Sequence, residues 1–221
     1  DPGVPDYKLY IFMNAWKVEP ELRVAIEAKI RRKHAVSVWC YAPGYISEGK
    51  FQSDGIGELT GIKVEEELAG QQIRAKKNPD QASAITRYYR PVGSYQIQPA
   101  FFGADPEAKV LAASDSGKAI LLNREFLQWR SVYTLLPLTP ELLLGLCEYA
   151  GVHVYSRSFD VLSANQSYIM LHTSSTGEKN IELPGKFSVR EVFTEKILGN
   201  NIDSISEELP AQETRLYQLT P

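Results

Sequence analysis

Ala35-Val36-Ser37-Val38-Trp39-Cys40-Tyr41-Ala42-Pro43-Gly44 is the stretch whose reading decides the fold. It begins as a run of β-branched and aromatic residues and stops at Pro43-Gly44, a pair that punctuates chains. Upstream lies a helix-like segment, and before that another apolar run, Leu9-Tyr10-Ile11-Phe12-Met13-Asn14. That order reads as strand, helix, strand, the unit of a parallel sheet. In open parallel sheets, ligands gather beyond the ends of the strands. The residues to test for a site are therefore Asn14 and Trp16 after the first strand, and Tyr41, Pro43, Gly44 and Tyr45 after the second.

The first run is almost continuously apolar, as in a strand covered on both faces. Pro20 suits the first turn of the helix, and Leu22, Ala25, Ile26 and Ile30 repeat at helical spacing. Glu27 and Arg31 are one turn apart and can pair, and Arg31-Arg32-Lys33 complements the negative end of the helix dipole. Beyond Gly44, Ser53 or Asp54 can cap a short helix over Ile56 to Thr60 that ends at Gly61. Ile62 to Leu68 reads as a strand or connector, with Glu65-Glu66-Glu67 as a solvated face. Ala84 to Tyr89 alternates weakly, as an edge strand would. Lys109 to Ala113 and Lys118 to Leu122 flank a Ser-Asp-Ser-Gly turn and read as a hairpin. Ser131 to Leu136 is a further strand. Thr139-Pro140-Glu141 is a helix start, and Gly151 ends that helix.

The pattern then changes to short strands without helices: Val152 to Tyr155, Val161-Leu162, Tyr168 to His172, Asn180 to Leu183, Ser188 to Phe193 and Thr214 to Leu219. A turn is expected at Pro184-Gly185. Closely spaced strands of this kind suggest an antiparallel sandwich. The expected organisation is an α/β domain over residues 1–151 and a small antiparallel β-domain over 152–221.

Length and composition fit a globular protein: 221 residues, 43% hydrophobic and 23% charged. A net charge of -3 gives no field favouring nucleic acid or an anionic membrane. No apolar run reaches the roughly 20 residues of a spanning helix. The chain opens at Asp1-Pro2-Gly3 without a signal-peptide pattern, as a processed protein or an excised piece would. Cys40 and Cys147 both lie in apolar runs and read as buried free thiols.

No G-x-S-x-G elbow is present, and Cys40 sits inside a strand between Trp39 and Tyr41, where a reactive thiolate is not expected. Asn14-Ala15-Trp16-Lys17 stands where a Gly-rich phosphate loop would follow the first strand. His34, His153 and His172 imply no third ligand. No cofactor and no metal are expected. The aromatics Trp16, Tyr41, Tyr45, Tyr88, Tyr89 and Trp129 can pack in the core or at strand edges, or stack on a sugar or a partner. Trp16 and Tyr45 lie best for recognition.

Three segments together carry a resemblance: Tyr7 to Ala15, Trp39 to Ile46 with its Ala-Pro-Gly turn, and Gly57-Glu58-Leu59-Thr60-Gly61-Ile62. They resemble the trimerisation domain of family-42 β-galactosidases and related glycoside hydrolases over roughly residues 6 to 151. The resemblance implies a flavodoxin-like, class I glutamine-amidotransferase-like α/β fold without amidotransferase activity. The strands after Gly151 are similar to the small β-domains that follow such modules. The Cys elbow and late His-x-Glu of true amidotransferases are missing. The resemblance places the family's catalytic glutamates in a preceding (β/α)₈ barrel of about 250 residues, to which no segment of residues 1–221 corresponds, so no catalytic residue is expected to carry over. The implied role is an oligomerisation and structural module of a β-galactosidase-like hydrolase, with self-association and a glycosidase barrel as partners. The alternatives are a carbohydrate-binding accessory module or an amidotransferase-like or hydrolytic enzyme in its own right.

Overall fold

The computed structural model describes residues 3–91 and 93–221. The chain divides into two compact units, Asp1–Val152 and His153–Pro221.

In the first unit the strands are β1 (Leu9–Phe12), β2 (Val36–Cys40), β3 (Ile46–Ser47), β4 (Lys50–Phe51), β5 (Val64–Glu67), β6 (Gln71–Ile73), β7 (Ala75–Lys77), β8 (Tyr95–Ile97), β9 (Ala100–Gly103), β10 (Lys109–Ser114), β11 (Ala119–Glu125) and β12 (Arg130–Thr134). The helices are α1 (Pro20–Arg31), α2 (Asp54–Thr60) and α3 (Pro140–Ala150). The main sheet has eight strands, in the order β1-β2-β12-β11-β10-β7, with β9 joining β11 and β5 joining β9.

Its parallel part is small. Only β1–β2 and β2–β12 run parallel, with Leu9 opposite Val36, Phe12 opposite Trp39 and Ser131 opposite Ser37. The pairings of β11 with β12, β10 with β11 and β7 with β10 are antiparallel. The sheet is therefore mixed, whereas strand-helix-strand reading alone leads one to expect a parallel layer. The reason lies in the connections: β10, β11 and β12 follow one another through short turns, which join antiparallel neighbours and cannot make a crossover.

Helices cover both faces. Residues opposed in register share a face, so Tyr10, Phe12, Ser37, Trp39, Ser131 and Tyr133 point one way. On that side Ser131 Oγ donates to the Thr60 carbonyl of α2 at 2.6 Å, and Phe12 stacks on Trp39 at 4.3 Å. On the other side Arg130 donates to the Tyr149 carbonyl of α3, and the Tyr149 hydroxyl donates to Asn123. The core between these layers includes Val36, Val38, Trp39, Leu121, Val132, Tyr133, Leu142 and Leu146, all essentially inaccessible.

The helix ends follow their local chemistry. The Thr139 hydroxyl accepts from Leu142 N–H, the kind of cap worth about 1 kcal/mol. Gly61 and Gly151 end α2 and α3 in left-handed conformation. Ser53 precedes α2 but makes no side-chain cap. The segment 84–89, expected as an edge strand, is a run of turns with N–H groups of Thr86 and Arg87 bonded to Ser83 and Ala84. It packs on α3 because Gly145 leaves room: a Cβ there would sit 2.2 Å from the Ile85 carbonyl oxygen. Of the three glutamates, Glu65 is exposed as expected, but Glu66 and Glu67 are half-buried. Glu67 holds Lys118 at 2.5 Å, and Glu66 accepts from a tyrosine.

The second unit holds β13 (Val161–Ala164), β14 (Tyr168–His172), β15 (Gly177–Glu191), β16 (Ile197–Leu209) and β17 (Thr214–Thr220). They form one antiparallel sheet in the order β13-β14-β17-β15-β16. The expected two-sheet sandwich is thus a single sheet of five strands. The expected turn at Pro184-Gly185 lies inside β15, where the register with β16 shifts between Glu182 and Phe187 and again before Val189 and Arg190. Such irregularities bend a strand and increase its twist. A bent β15 lets one sheet enclose Ile169, Leu171, Ile181, Val189, Ile205, Tyr217 and Leu219. β16 was not foreseen, because Gly199, Asn200 and Asn201 interrupt its apolar alternation.

Among the described residues no helix is long and apolar enough to cross a membrane.

Candidate functional site

The turn after β2 is built by strain and close packing. Tyr41 adopts a left-handed φ of 67°, which swings the chain out of the strand. Its carbonyl lies 2.6 Å from the Tyr133 hydroxyl, which also lies 2.8 Å from the Phe101 carbonyl. That hydroxyl is sealed from water, and burial raises its pKa well above the usual tyrosine value. The Tyr41 hydroxyl in turn donates to the Pro99 carbonyl at 2.8 Å.

Pro43 and Gly44 are buried. Gly44 has φ 76°, and a Cβ there would lie 2.9 Å from the Gly55 carbonyl oxygen. The turn after β1 is sewn to it: Gly44 N–H donates to Ala15 O and Ile46 N–H to Trp16 O, each at 2.8 Å. Two strand-end turns are thereby fixed side by side, so Trp16, Tyr41 and Tyr45 meet. Asn14 lies at the rim, exposed.

The aromatic rings form a connected series. Trp16 meets Tyr41 edge-on at 5.3 Å, Tyr41 meets Phe101 at 5.5 Å, and Phe101 meets Tyr45 at 4.7 Å. Tyr45 continues to Phe51 at 5.4 Å. The two ends of the series face water, Trp16 at 43% and Phe51 at 73% exposure, while Phe101 is wholly buried. The Tyr45 hydroxyl donates to Glu66 Oε1 at 2.5 Å. That bond, aided by burial and by the carboxylate's charge, pushes Tyr45 up to about 12.

Phe51, Phe101 and Glu66 escaped the sequence reading. Phe51 is in a two-residue strand, Phe101 in a short apolar piece far along the chain, and Glu66 in an acidic run. The one available signal was alternation in β5, which turns Glu66 to the opposite face from Glu65 and Glu67.

Nucleophilic chemistry has little footing here. Burial pushes the Cys40 thiol up to about 11 and also raises Cys147. Both cysteines are free. His153 Nε2 lies 2.9 Å from the Glu182 carbonyl, and His172 Nδ1 lies 2.9 Å from Thr214 Oγ1. Among the described residues no group of three or more His, Cys, Asp or Glu is arranged to hold a metal ion. What the strand-end surface offers is two exposed aromatic faces and a hydrogen-bonded carboxylate.

No protein-family model matches the sequence, and no curated protein sequence is significantly similar to it. Its fold does match solved structures. The β-galactosidase from Bacillus circulans sp. alkalophilus superposes with a TM-score of 0.65 at 19% identity, over 97% of this chain and 33% of that one. The β-galactosidase from Rahnella sp. R3 gives 0.61 at 15% identity, over 96% and 32%. The β-galactosidase from the haloarchaeon Halorubrum lacusprofundi gives 0.56 at 13% identity, over 96% and 31%. Another structure of this group, from G. stearothermophilus, is described as a GH42 β-galactosidase. The chain therefore spans about a third of the length of these enzymes, and it has the fold of that part of them.

Proposed function

We propose that this chain is a non-catalytic, self-associating structural module of a β-galactosidase-like glycoside hydrolase. The observation that carries the reading is the extent of the fold match: nearly the whole chain corresponds to one third of several β-galactosidases. On this reading the first unit is the counterpart of the amidotransferase-like, flavodoxin-like trimerisation domain, with its parallel layer reduced to β1, β2 and β12. The second unit is the small β-domain that follows it. The half-buried Cys40 with its raised thiol pKa and the packed Ala-Pro-Gly turn support a scaffold role at the strand ends, where related α/β folds place their chemistry.

Two measurements on the purified chain test this. Hydrolysis of a chromogenic β-galactoside is expected to be absent, and the mass from light scattering is expected to rise with concentration. Turnover abolished by a single substitution would overturn the non-catalytic assignment. A strictly single-chain mass at every concentration would overturn self-association.

A second reading, carbohydrate binding, is favoured by the exposed rings of Trp16 and Phe51 at the two ends of the aromatic series, within which Tyr45 bonds Glu66. Stacking of a sugar on Trp16 would change tryptophan emission during titration with galactosides, and the change would vanish in Trp16→Ala. Flat titrations with every sugar would remove this reading.

A further inference from the structure

The tip of the β15–β16 hairpin is held more firmly than a connection between two strands requires. Residues 193–197 are all exposed, yet the root of the turn is fixed. Glu191 is only 2% exposed, and its Oε2 accepts from Thr194 N–H at 2.7 Å and from Thr194 Oγ1 at 2.6 Å. Its own N–H donates to the Lys196 carbonyl, and Val192 N–H donates to the Leu216 carbonyl of β17, each at 2.8 Å. Burying a carboxylate is costly unless it is hydrogen-bonded, and here its bonds hold the turn in one shape. That turn presents Phe193 at 65% and Ile197 at 67% exposure, with exposed Glu195 between them in the chain. Large apolar side chains on a preordered turn lose little entropy on binding.

The first unit carries a matching recess. An apolar groove of about 340 Å³ lies between β1 and α1, lined by Tyr10, Phe12, Leu22, Ala25 and Ile26. That volume is near the lower end for ligand clefts, a size that takes side chains and not a whole strand or helix. Arg32 also lines the groove, exposed and without an ion pair among the described residues. Glu195 at the hairpin tip is likewise exposed and unpaired among them. The two surfaces therefore match apolar to apolar, with an unengaged acid on one and an unengaged base on the other. Other exposed apolar side chains match less well. Phe51 follows Lys50, and Leu127 lies between Phe126 and Gln128, so neither brings an acid to Arg32.

We propose that the β15–β16 tip of one copy seats Phe193 and Ile197 in the β1–α1 groove of a second copy, with Glu195 meeting Arg32. The proposal rests on the self-association proposed above and assigns its two surfaces. Tip and groove are different surfaces, so the contact runs head to tail. Contacts of that kind can close into a ring of three copies.

The test is light scattering on the whole chain and its variants, alone and mixed, with circular dichroism to check folding. The wild type is expected to rise above the single-chain 24.8 kDa as concentration increases. Phe193→Ser removes an aromatic anchor and is expected to weaken association about thirtyfold. Ala25→Glu, an exposed change that puts an acid in the groove, is expected to weaken it as much. An equimolar mixture of these two variants is expected to form mixed pairs, because the first keeps an intact groove and the second an intact tip. Arg32→Glu is expected to weaken association about fivefold, and Glu195→Lys added to it is expected to restore it. Two variants that stay single even when mixed would overturn the head-to-tail contact. Association untouched by Phe193→Ser and Ala25→Glu would overturn these surfaces and leave self-association standing. A wild type that keeps the single-chain mass at every concentration would overturn both inferences.

Discussion

Asp160 and Lys179 face each other at 2.9 Å in the second unit, with side chains only 0% and 4% exposed. Ser158 Oγ donates to Asp160 Oδ2 at 2.6 Å, and Ser174 donates to Oδ1 through both N–H and Oγ at 2.8 Å. Burial alone would raise the carboxyl pKa. The hydrogen bonds from Ser158, Lys179 and Ser174 outweigh it and hold Asp160 well below the usual aspartate value. The pair ties the start of β13 to β15 inside a unit whose apolar core is small.

Removing one partner of this pair leaves the other charge buried. We expect Asp160→Asn to destabilise the second unit by about 3–5 kcal/mol, read from urea unfolding followed by circular dichroism. Because the folded pKa is depressed, the stabilisation is complete above the ordinary aspartate range and declines as the pH falls below about 4. The variant should therefore lose that acid dependence. An Asp160→Asn protein as stable as the wild type at neutral pH would refute the assignment.

Tyr45 behaves in the opposite sense. Its raised pKa of about 12 favours the protonated hydroxyl in the folded state. Its contribution is full below about pH 10, the ordinary tyrosine value, and is lost as pH rises toward 12. Glu66→Gln removes the charge and should bring Tyr45 back toward the ordinary value in an ultraviolet titration. An unchanged titration curve would show that Glu66 does not hold this hydroxyl.

Gly55 is required by its neighbour across the turn. A Cβ at Gly55 would sit 2.3 Å from the Gly44 carbonyl oxygen, a backbone atom that cannot step aside. We expect Gly55→Ala to cost about 1–3 kcal/mol, the usual range for overpacking. Gly49→Ala is a useful comparison, because Gly49 meets nothing within 4 Å and has φ 74°, so its cost is one of backbone strain alone. Equal melting shifts for the two would contradict the close-approach account.

The cysteines offer a readout of folding. With its thiol pushed up to about 11 and half-buried, Cys40 should react with a thiol reagent at neutral pH far more slowly in the folded unit than in the unfolded chain. Labelling should slow in any variant that stabilises the first unit. Rapid labelling of native Cys40 would mean an accessible, activated thiol and would reopen the case for nucleophilic chemistry.

By itself the sequence determined what is local. The helix from Pro20, the Thr139 cap, the left-handed ends at Gly61 and Gly151, and the hairpin of β10 and β11 all follow from residue spacing and turn chemistry. The strand-helix-strand order from β1 to β2 was legible for the same reason, since continuous apolar runs with a helical period between them admit few other readings. Trp16, Tyr41 and Tyr45 were legible as neighbours of strand ends, yet their mutual contacts were not. Tertiary structure alone decided that Phe101 would bridge Tyr41 and Tyr45, and that Glu66 would leave an acidic run to meet Tyr45. It alone decided that most of the main sheet would run antiparallel, and that one bent sheet would stand in for a sandwich. Those outcomes rest on long-range pairing and on burial shared between distant segments, and neither leaves a period in the sequence that a local reading can detect.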